Sequence, residues 1–176
     1  MSRRRLNDRE SRGVENISLN AADLLAYFEY RARGAEAADL LSETMATAWR
    51  RIEAMPDEAT EARMWLFGIA RNVLANAERA AQRQWRLADK LRARLTTATP
   101  PDDDQRTIEV RDAVSRLTPE LRELINLVHW DGFSITDAAE VIGIPASTAR
   151  TRYQTARRQL SRALNPTEPQ HDVSVS

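Results

Sequence analysis

Six side chains that donate hydrogen bonds or carry positive charge recur through one stretch of this sequence: Asn72, Asn76, Arg79, Arg83, Arg86 and Lys90, at spacings of 4, 3, 4, 3 and 4. Such spacings put all six on one face of an α-helix. At about 1.5 Å of rise per residue the stripe extends about 27 Å, most of one turn of duplex DNA. Amides lead and cations follow, an order suited to reading bases at one end and holding phosphates along the rest. The carboxylates of this stretch, Glu78 and Asp89, fall off the stripe. A merely solvated helix more usually intersperses them for i,i+4 pairing.

A second set lies toward the C-terminus. Residues 144–165 carry 5 basic and no acidic side chains. Periodicity turns Ser147, Arg150, Thr151, Gln154, Arg157 and Arg158 to one side of a helix and Ala149, Tyr153, Ala156 and Leu160 to the other. The second group is expected in the core, with Tyr153 as a packed aromatic. Upstream, Ser134 with Asp137 resembles a capping box that opens a short helix bearing Ile135, Ala138, Ala139 and Ile142; Gly143 stops it and Pro145 starts the next. A short helix, a tight glycine turn and a longer basic helix form a helix-turn-helix pattern, whose second helix can enter a major groove.

The elements that must carry these faces are all helices. Ala, Leu, Arg and Glu dominate, and no segment sustains a period-two pattern. The expected first helix is about Ala21 to Arg33, capped by Asn20 and ended by Gly34. A second, about Ala37 to Ala54, places Ala38, Leu41, Met45, Ala48, Trp49 and Ile52 on one face before Pro56 closes it. A third starts at Thr60 or Ala62 and reaches about Leu95, burying Trp65, Leu66, Ile69 and Val73, with Gly68 a local weakness. Thr96 to Arg106 has two prolines, three consecutive aspartates and no large apolar residue, the composition of a linker. Beyond it Val110, Ala113, Val114 and Leu117 form one apolar face, and Thr118-Pro119 caps and opens a helix bearing Leu121, Leu124, Ile125 and Val128. The expected fold is all-α, two small helical domains (19–95 and 107–165) joined by a flexible linker at 96–106, with disordered ends at 1–18 (mildly basic) and 166–176.

Across 176 residues, 26 basic and 26 acidic side chains cancel, which excludes a chain-wide basic coat. The cancellation is segmental: residues 63–95 carry 8 basic and 2 acidic side chains, residues 21–62 carry 4 and 9, and residues 96–143 carry 4 and 10. This fits two polyanion contacts on an otherwise acidic body. With no cysteine, disulfides and thiolate metal sites are excluded, and His129 and His171 are too far apart for a histidine-rich site. No metal or other cofactor is expected, and no catalytic residue, because no nucleophile–base pair or glycine-rich phosphate loop is in view. The longest apolar stretch, Met64 to Ala70, is far short of the roughly 20 residues that span a bilayer, so no membrane insertion is expected. Arg3-Arg4-Arg5 lacks the apolar segment of a signal peptide, which points to the cytoplasm.

Three motifs, in order, resemble the extracytoplasmic function (ECF) sigma factors, the two-domain promoter-recognition subunits of bacterial RNA polymerase. Asp39 to Arg51 (DLLSETMATAWRR) and Trp65 to Asn72 (WLFGIARN) are similar to the family's region 2. Leu117 to Leu124, Asp131-Gly-Phe-Ser134 and Ile144 to Arg152 (IPASTARTR) are similar to its region 4. The resemblance covers about residues 21–164. It implies that Asp39, Ser42 and Glu43 dock on the clamp helices of the polymerase β′ subunit, with the β subunit a further contact. It implies that the loop Met55 to Arg63, with Arg71, Asn72, Asn76, Arg79 and Arg83, melts and reads the -10 element. It implies that Ser147, Thr148, Arg150, Thr151, Gln154, Arg157 and Arg158 read the -35 element. The linker, with Asp102, Asp103 and Asp104, would thread toward the polymerase cleft, and an anti-sigma factor is a possible partner. The family usually has Gln at the position of Ser42, a more basic loop, a side chain at Gly68 and further Arg at the positions of Val128 and Thr155.

Two other classes share parts of the pattern. A LuxR-like regulator has a similar helix-turn-helix, but the receiver of a response regulator would need an alternating strand-helix first half. A helical protein-interaction module would leave the last helix no reason to be purely basic.

Overall fold

A computed structural model describes residues 2–32, 36–88 and 105–164, with side chains from Ser11 to Arg83 and from Glu109 to Leu164 within those limits. All regular structure among them is helical. The chain divides into two compact units, Met1–Thr97 and Ala98–Ser176. The expected linker and C-terminal tail lie almost wholly outside the described residues, as do the side chains of Arg86 and Lys90.

Unit 1 holds α1 (Ser2–Arg31), α2 (Ala37–Arg50), a 3₁₀ turn (Ile52–Ala54) and α3 (Ala59–Ala88). The three α-helices each pack on the other two. Leu24, Tyr27 and Phe28 of α1 meet Leu40, Thr44 and Ala48 of α2 and Leu66, Phe67, Ala70 and Val73 of α3 in one buried core. The Tyr27 ring stands edge-to-face to Phe28 at 5.3 Å and to Phe67 at 5.5 Å between centroids, a geometry worth about 0.5–1.5 kcal/mol per pair beyond area burial. Arg31 lays its guanidinium 3.8 Å above the Tyr27 ring. Thr44 is fully buried, and its hydroxyl is satisfied by donating to the Leu40 carbonyl at 2.8 Å.

Three features of unit 1 differ from the sequence expectations. The first helix starts at Ser2, so residues expected as a disordered extension are helical, and Asn20 is not a cap. Asn20 lies buried mid-helix, donating to the Asn16 carbonyl at 2.8 Å and accepting from Arg63 at 3.1 Å. No proline interrupts residues 1–31, and packing against the rest of the unit supports a helix that a lone-segment reading ends early. The second helix stops at Arg50, because Met55, restrained by Pro56, is extended (φ -68, ψ 130) and buries its side chain, forcing a tight 3₁₀ turn before it. Its core seam is also one residue earlier than expected: Ala37, Leu40, Thr44 and Ala48 are buried, whereas Trp49 is 54% exposed. Gly68 interrupts nothing in α3.

Unit 2 holds α4 (Gln105–Ser115), α5 (Pro119–His129), α6 (Ile135–Ile142) and α7 (Ala146–Leu164). Val114, Leu117, Leu121, Ile125 and Ala156 form a buried cluster, with Val110, Tyr153 and Leu160 packed against it. Leu127 and Val141 are buried where Val128 and Ile142 were expected, and the latter two are half-buried. The Ser134 hydroxyl oxygen accepts from the Asp137 backbone N–H at 3.1 Å and donates to the Asp137 carboxylate at 2.7 Å, which closes the expected cap of α6. Gly143 ends α6 at φ 79, a left-handed position that favours glycine, and its N–H bonds the Ala139 carbonyl at 2.9 Å. Arg122 donates to the carbonyls of Ser115 and Leu117, tying the start of α5 to the end of α4.

Thr118 stands at the N-cap of α5 but, unlike the expected cap, makes no side-chain bond to the helix backbone. Its hydroxyl serves Glu120, whose carboxyl is held below its ordinary value of 4.5 by its own backbone N–H first, then by Thr118, with Arg152 adding attraction. A lowered folded value contributes stability above the unfolded value that is lost as pH falls through the folded one. Glu120→Gln is therefore expected to destabilise the chain near neutral pH. The gap from the parent should close in acid, measured by urea midpoints at about pH 6 and about pH 3.

Candidate nucleic-acid interface

The α3 stripe is displayed as its spacing requires: Asn72, Asn76, Arg79 and Arg83 are exposed, and Arg71 is half-buried beside them. Arg79 Nη2 donates to Asn76 Oδ1 at 2.7 Å. A guanidinium only donates, so the bond turns the amide oxygen of Asn76 toward Arg79 and points its NH₂ the other way. Asn76 is thus set up as a hydrogen-bond donor toward acceptor edges such as O2, O4, N3 or N7 of a base. This pairing was missed from sequence, although the i,i+3 spacing of an amide and an arginine carries the signal.

The segment leading into α3, more basic in the family, here carries Asp57, Glu58 and, in the first turn of α3, Glu61. Two of these carboxylates have structural partners. Asp57 pairs with Arg12 at 3.4 Å, and Glu58 Oε2 accepts the Glu61 backbone N–H at 3.0 Å, capping α3. Arg63 is held by Asn20 and Asp23 of α1, with its guanidinium 4.7 Å above the Phe67 ring. Arg51 lies 6.0 Å over the Trp65 ring, which is half-buried rather than part of the deep core.

On α7, Ser147, Arg150, Thr151, Gln154, Arg157 and Arg158 are exposed, Thr148 is half-buried, and Ala149 and Ala156 are buried. The Thr151 hydroxyl donates to the Ser147 carbonyl at 3.1 Å and that of Thr155 to the Thr151 carbonyl at 3.0 Å, so both offer lone pairs more readily than protons. Tyr153 is fixed on the opposite side, its hydroxyl 3.0 Å from His129 Nε2 and the two rings stacked at 5.8 Å. That contact joins α7 to the end of α5 and aims the polar face of α7 away from the core.

Asp39, Ser42 and Glu43 are exposed on α2. The Ser42 hydroxyl donates to the Ala38 carbonyl at 2.8 Å, leaving the two carboxylates as the outward chemistry. Trp49 shares this face with Ser42 at the helical spacing of seven residues, an exposed aromatic that the expected core seam had assigned to the interior. Among the described residues no group of three or more His, Asp or Glu side chains is placed to hold a metal ion, and no helix is long and apolar enough to cross a membrane.

A basic helix-turn-helix unit and a helical unit with an amide-led stripe define a DNA-contacting transcription protein, and comparisons with known proteins narrow the class. Residues 21–84 match the family model for sigma-70 region 2, and residues 107–160 match that for sigma-70 region 4. The ECF RNA polymerase sigma factor SigL of Mycobacterium tuberculosis is 29% identical over 133 residues, spanning 74% of this chain and 75% of that protein. SigC, an ECF sigma factor of the same species, is 31% identical over 162 residues, 85% of this chain and 82% of that protein. Among solved structures, the sigma factor RpoE of Bartonella quintana, crystallised with the anti-sigma factor NepR, shares the fold with a TM-score of 0.63 at 23% identity, covering 88% of this chain and 95% of that one. The chain belongs to the ECF family of RNA polymerase sigma factors. Its function is that of an alternative sigma factor, which directs transcription initiation. Region 2 in the first half is what separates it from a LuxR-like regulator.

Proposed function

We propose that this sigma factor binds core RNA polymerase through the outward face of α2 and promoter DNA through α3 and α7, with residues 19–95 and 107–165 as the two working domains and 96–106 as the tether. Asp39 and Glu43, with Ser42 between them, dock on the β′ clamp helices, and the β subunit supplies further contact. The loop Met55 to Arg63 and the start of α3 melt and read the -10 element. Asn72 and Asn76 offer amides to an extruded base while Arg71, Arg79 and Arg83 hold phosphates. The face of α7 reads the -35 duplex: Arg150 and Arg157 reach base edges or phosphates, Arg158 adds charge, and Ser147, Thr148, Thr151 and Gln154 make the shorter contacts. The protein acts as a subunit and not as an enzyme, and it works in the cytoplasm. An anti-sigma factor is its regulatory partner, a reading supported by the Bartonella sigma factor, which was crystallised in complex with NepR.

The observation that carries this reading is the outward face of α7, where Arg150, Gln154, Arg157 and Arg158 are all exposed on a helix without a single acidic residue. A helix-turn-helix that served only protein contacts would not need that charge purity. The test is capture of core polymerase by the tagged full-length chain, followed by transcription from a random promoter library. The expected result is a stoichiometric complex that initiates at a defined class of promoters which the chain alone binds poorly. No association with core polymerase would overturn the reading.

For the α3 stripe, Arg79→Ala and Arg83→Ala are each expected to flatten the dependence of log affinity on log salt by about one unit per lost phosphate contact. Promoter binding by the reconstituted holoenzyme, measured across a salt series, checks this. An unchanged slope would place both side chains in solvent.

A further inference from the structure

We propose that the N-terminal half of α1 belongs to the -10-reading apparatus, with Gly13 and Arg12 as positioning residues that set the place of the Met55–Arg63 loop; the inference rests on that loop reading the -10 element, as proposed above. Gly13 is buried in the middle of a helix, where glycine is a poorer helix former than alanine. The packing gives the reason. A Cβ at this position would stand 2.5 Å from both Cδ1 and Cγ1 of Ile52, against about 3.5–4.0 Å for packed carbon atoms. The missing side chain lets the α1 backbone lie directly on the 3₁₀ turn that feeds the loop.

The same face of α1 continues the contact. Arg12 reaches Asp57 in the loop, and Asn16 lines a shallow pocket with Met55 and Pro56. Two turns further along, Asn20 and Asp23 hold Arg63 in the second turn of α3, just past the loop. Positions 12, 13, 16, 20 and 23 follow helical spacing, so one strip of a rigid helix supports both ends of the loop. The Arg12–Asp57 pair is more than half exposed and adds little energy, but it fixes the register of the loop on the strip. A loop held at both ends by one helix moves with that helix.

The experiment uses the full-length chain with core polymerase on promoters randomised over the -10 element with a constant -35 element. Gly13→Leu is expected to drive Ile52 aside and shift relative -10 preferences by about threefold or more, the scale of coupling between contacting residues. Binding to -35 duplex alone should stay within about twofold, because unit 2 is untouched. Ile52→Ala in the Gly13→Leu background removes the conflicting atoms and is expected to restore the parent preferences. Glu61→Ala, a change within the same 55–63 segment at the first turn of α3, is the reference. If Glu61→Ala alters preferences and Gly13→Leu does not, the strut is overturned while the loop reading stands. If neither does, the loop reading falls and the inference with it. Should Gly13→Leu fail to fold, as judged by its thermal melt, the double variant decides: recovery of folding and of the parent preferences supports the Ile52 contact, and failure to recover overturns it.

Discussion

Phe67→Ala is expected to lower the melting midpoint of unit 1 by at least about 12 °C, because a Phe-to-Ala truncation in a packed core costs about 3–5 kcal/mol and each kcal/mol moves a domain of this size by about 4–8 °C. Phe67 has no exposed surface, and its ring meets Tyr27 edge-to-face while the Arg63 guanidinium sits above it. Removing it opens a cavity between α1 and α3 and takes away the ring under the side chain that ties α3 to Asn20 and Asp23. The neighbours cannot collapse into the space cheaply, since Leu24, Phe28 and Leu66 are already fully buried. Against a total stability of about 5–15 kcal/mol for an ordinary domain, the loss is a large share. Circular dichroism melts check the result, and Phe67→Leu, which refills most of the volume, should recover more than half of the loss. A shift of only a degree or two for Phe67→Ala would mean that the aromatic cluster is not the keystone of this core.

The elements legible in the sequence are those whose ends are written in local chemistry. Ser134, Asp137, Gly143 and Pro145 fix the helix-turn-helix because a cap, a left-handed stop and a helix-opening proline act within a few residues of themselves. The two faces of α7 followed from periodicity alone for the same reason: its small apolar residues repeat cleanly against long polar ones. The seam of α2 did not. Thr44 is polar yet fully buried, with its hydroxyl returned to its own helix, and Trp49 is apolar yet exposed, so a hydrophobicity-weighted reading rotates the face by one residue. What decides between them is the partner surface of α1 and α3, which no local pattern encodes.

The N-terminal half of α1 was illegible for a similar reason. A basic, glycine-containing start reads as unstructured until the buried contact of Gly13 with Ile52, far along the chain, is known. The acidic loop is the same lesson at the site. Counted as charges, Asp57 and Glu58 only mark a departure from the family's more basic loop; placed, one answers Arg12 and the other caps α3. The stripe of α3 and the face of α7 were legible as displays of side chains, and the Arg79–Asn76 bond that orients one of them was legible only as a spacing.

Arg150→Ala is expected to weaken -35 recognition by about 1–3 kcal/mol, or about 5- to 150-fold, and the form of the loss identifies the contact. Arg150 stands in the first turns of α7, the part of a recognition helix that meets base edges, and its side chain is exposed. Its short neighbours are poor substitutes, since the Thr151 hydroxyl proton is spent on the Ser147 carbonyl. With holoenzyme on a -35 library, a base-reading arginine leaves one position relaxed when it is removed, whereas a phosphate-holding arginine leaves every sequence weaker by the same factor. An unchanged affinity would remove Arg150 from the interface altogether. Arg150→Lys separates the first two outcomes independently. Lysine keeps a phosphate contact as a point charge but lacks the planar, pre-organised fork with which an arginine grips O6 and N7 of guanine. Base readout through that fork therefore predicts a loss in the lysine variant confined to one -35 position, and a phosphate contact predicts behaviour near the parent at every position.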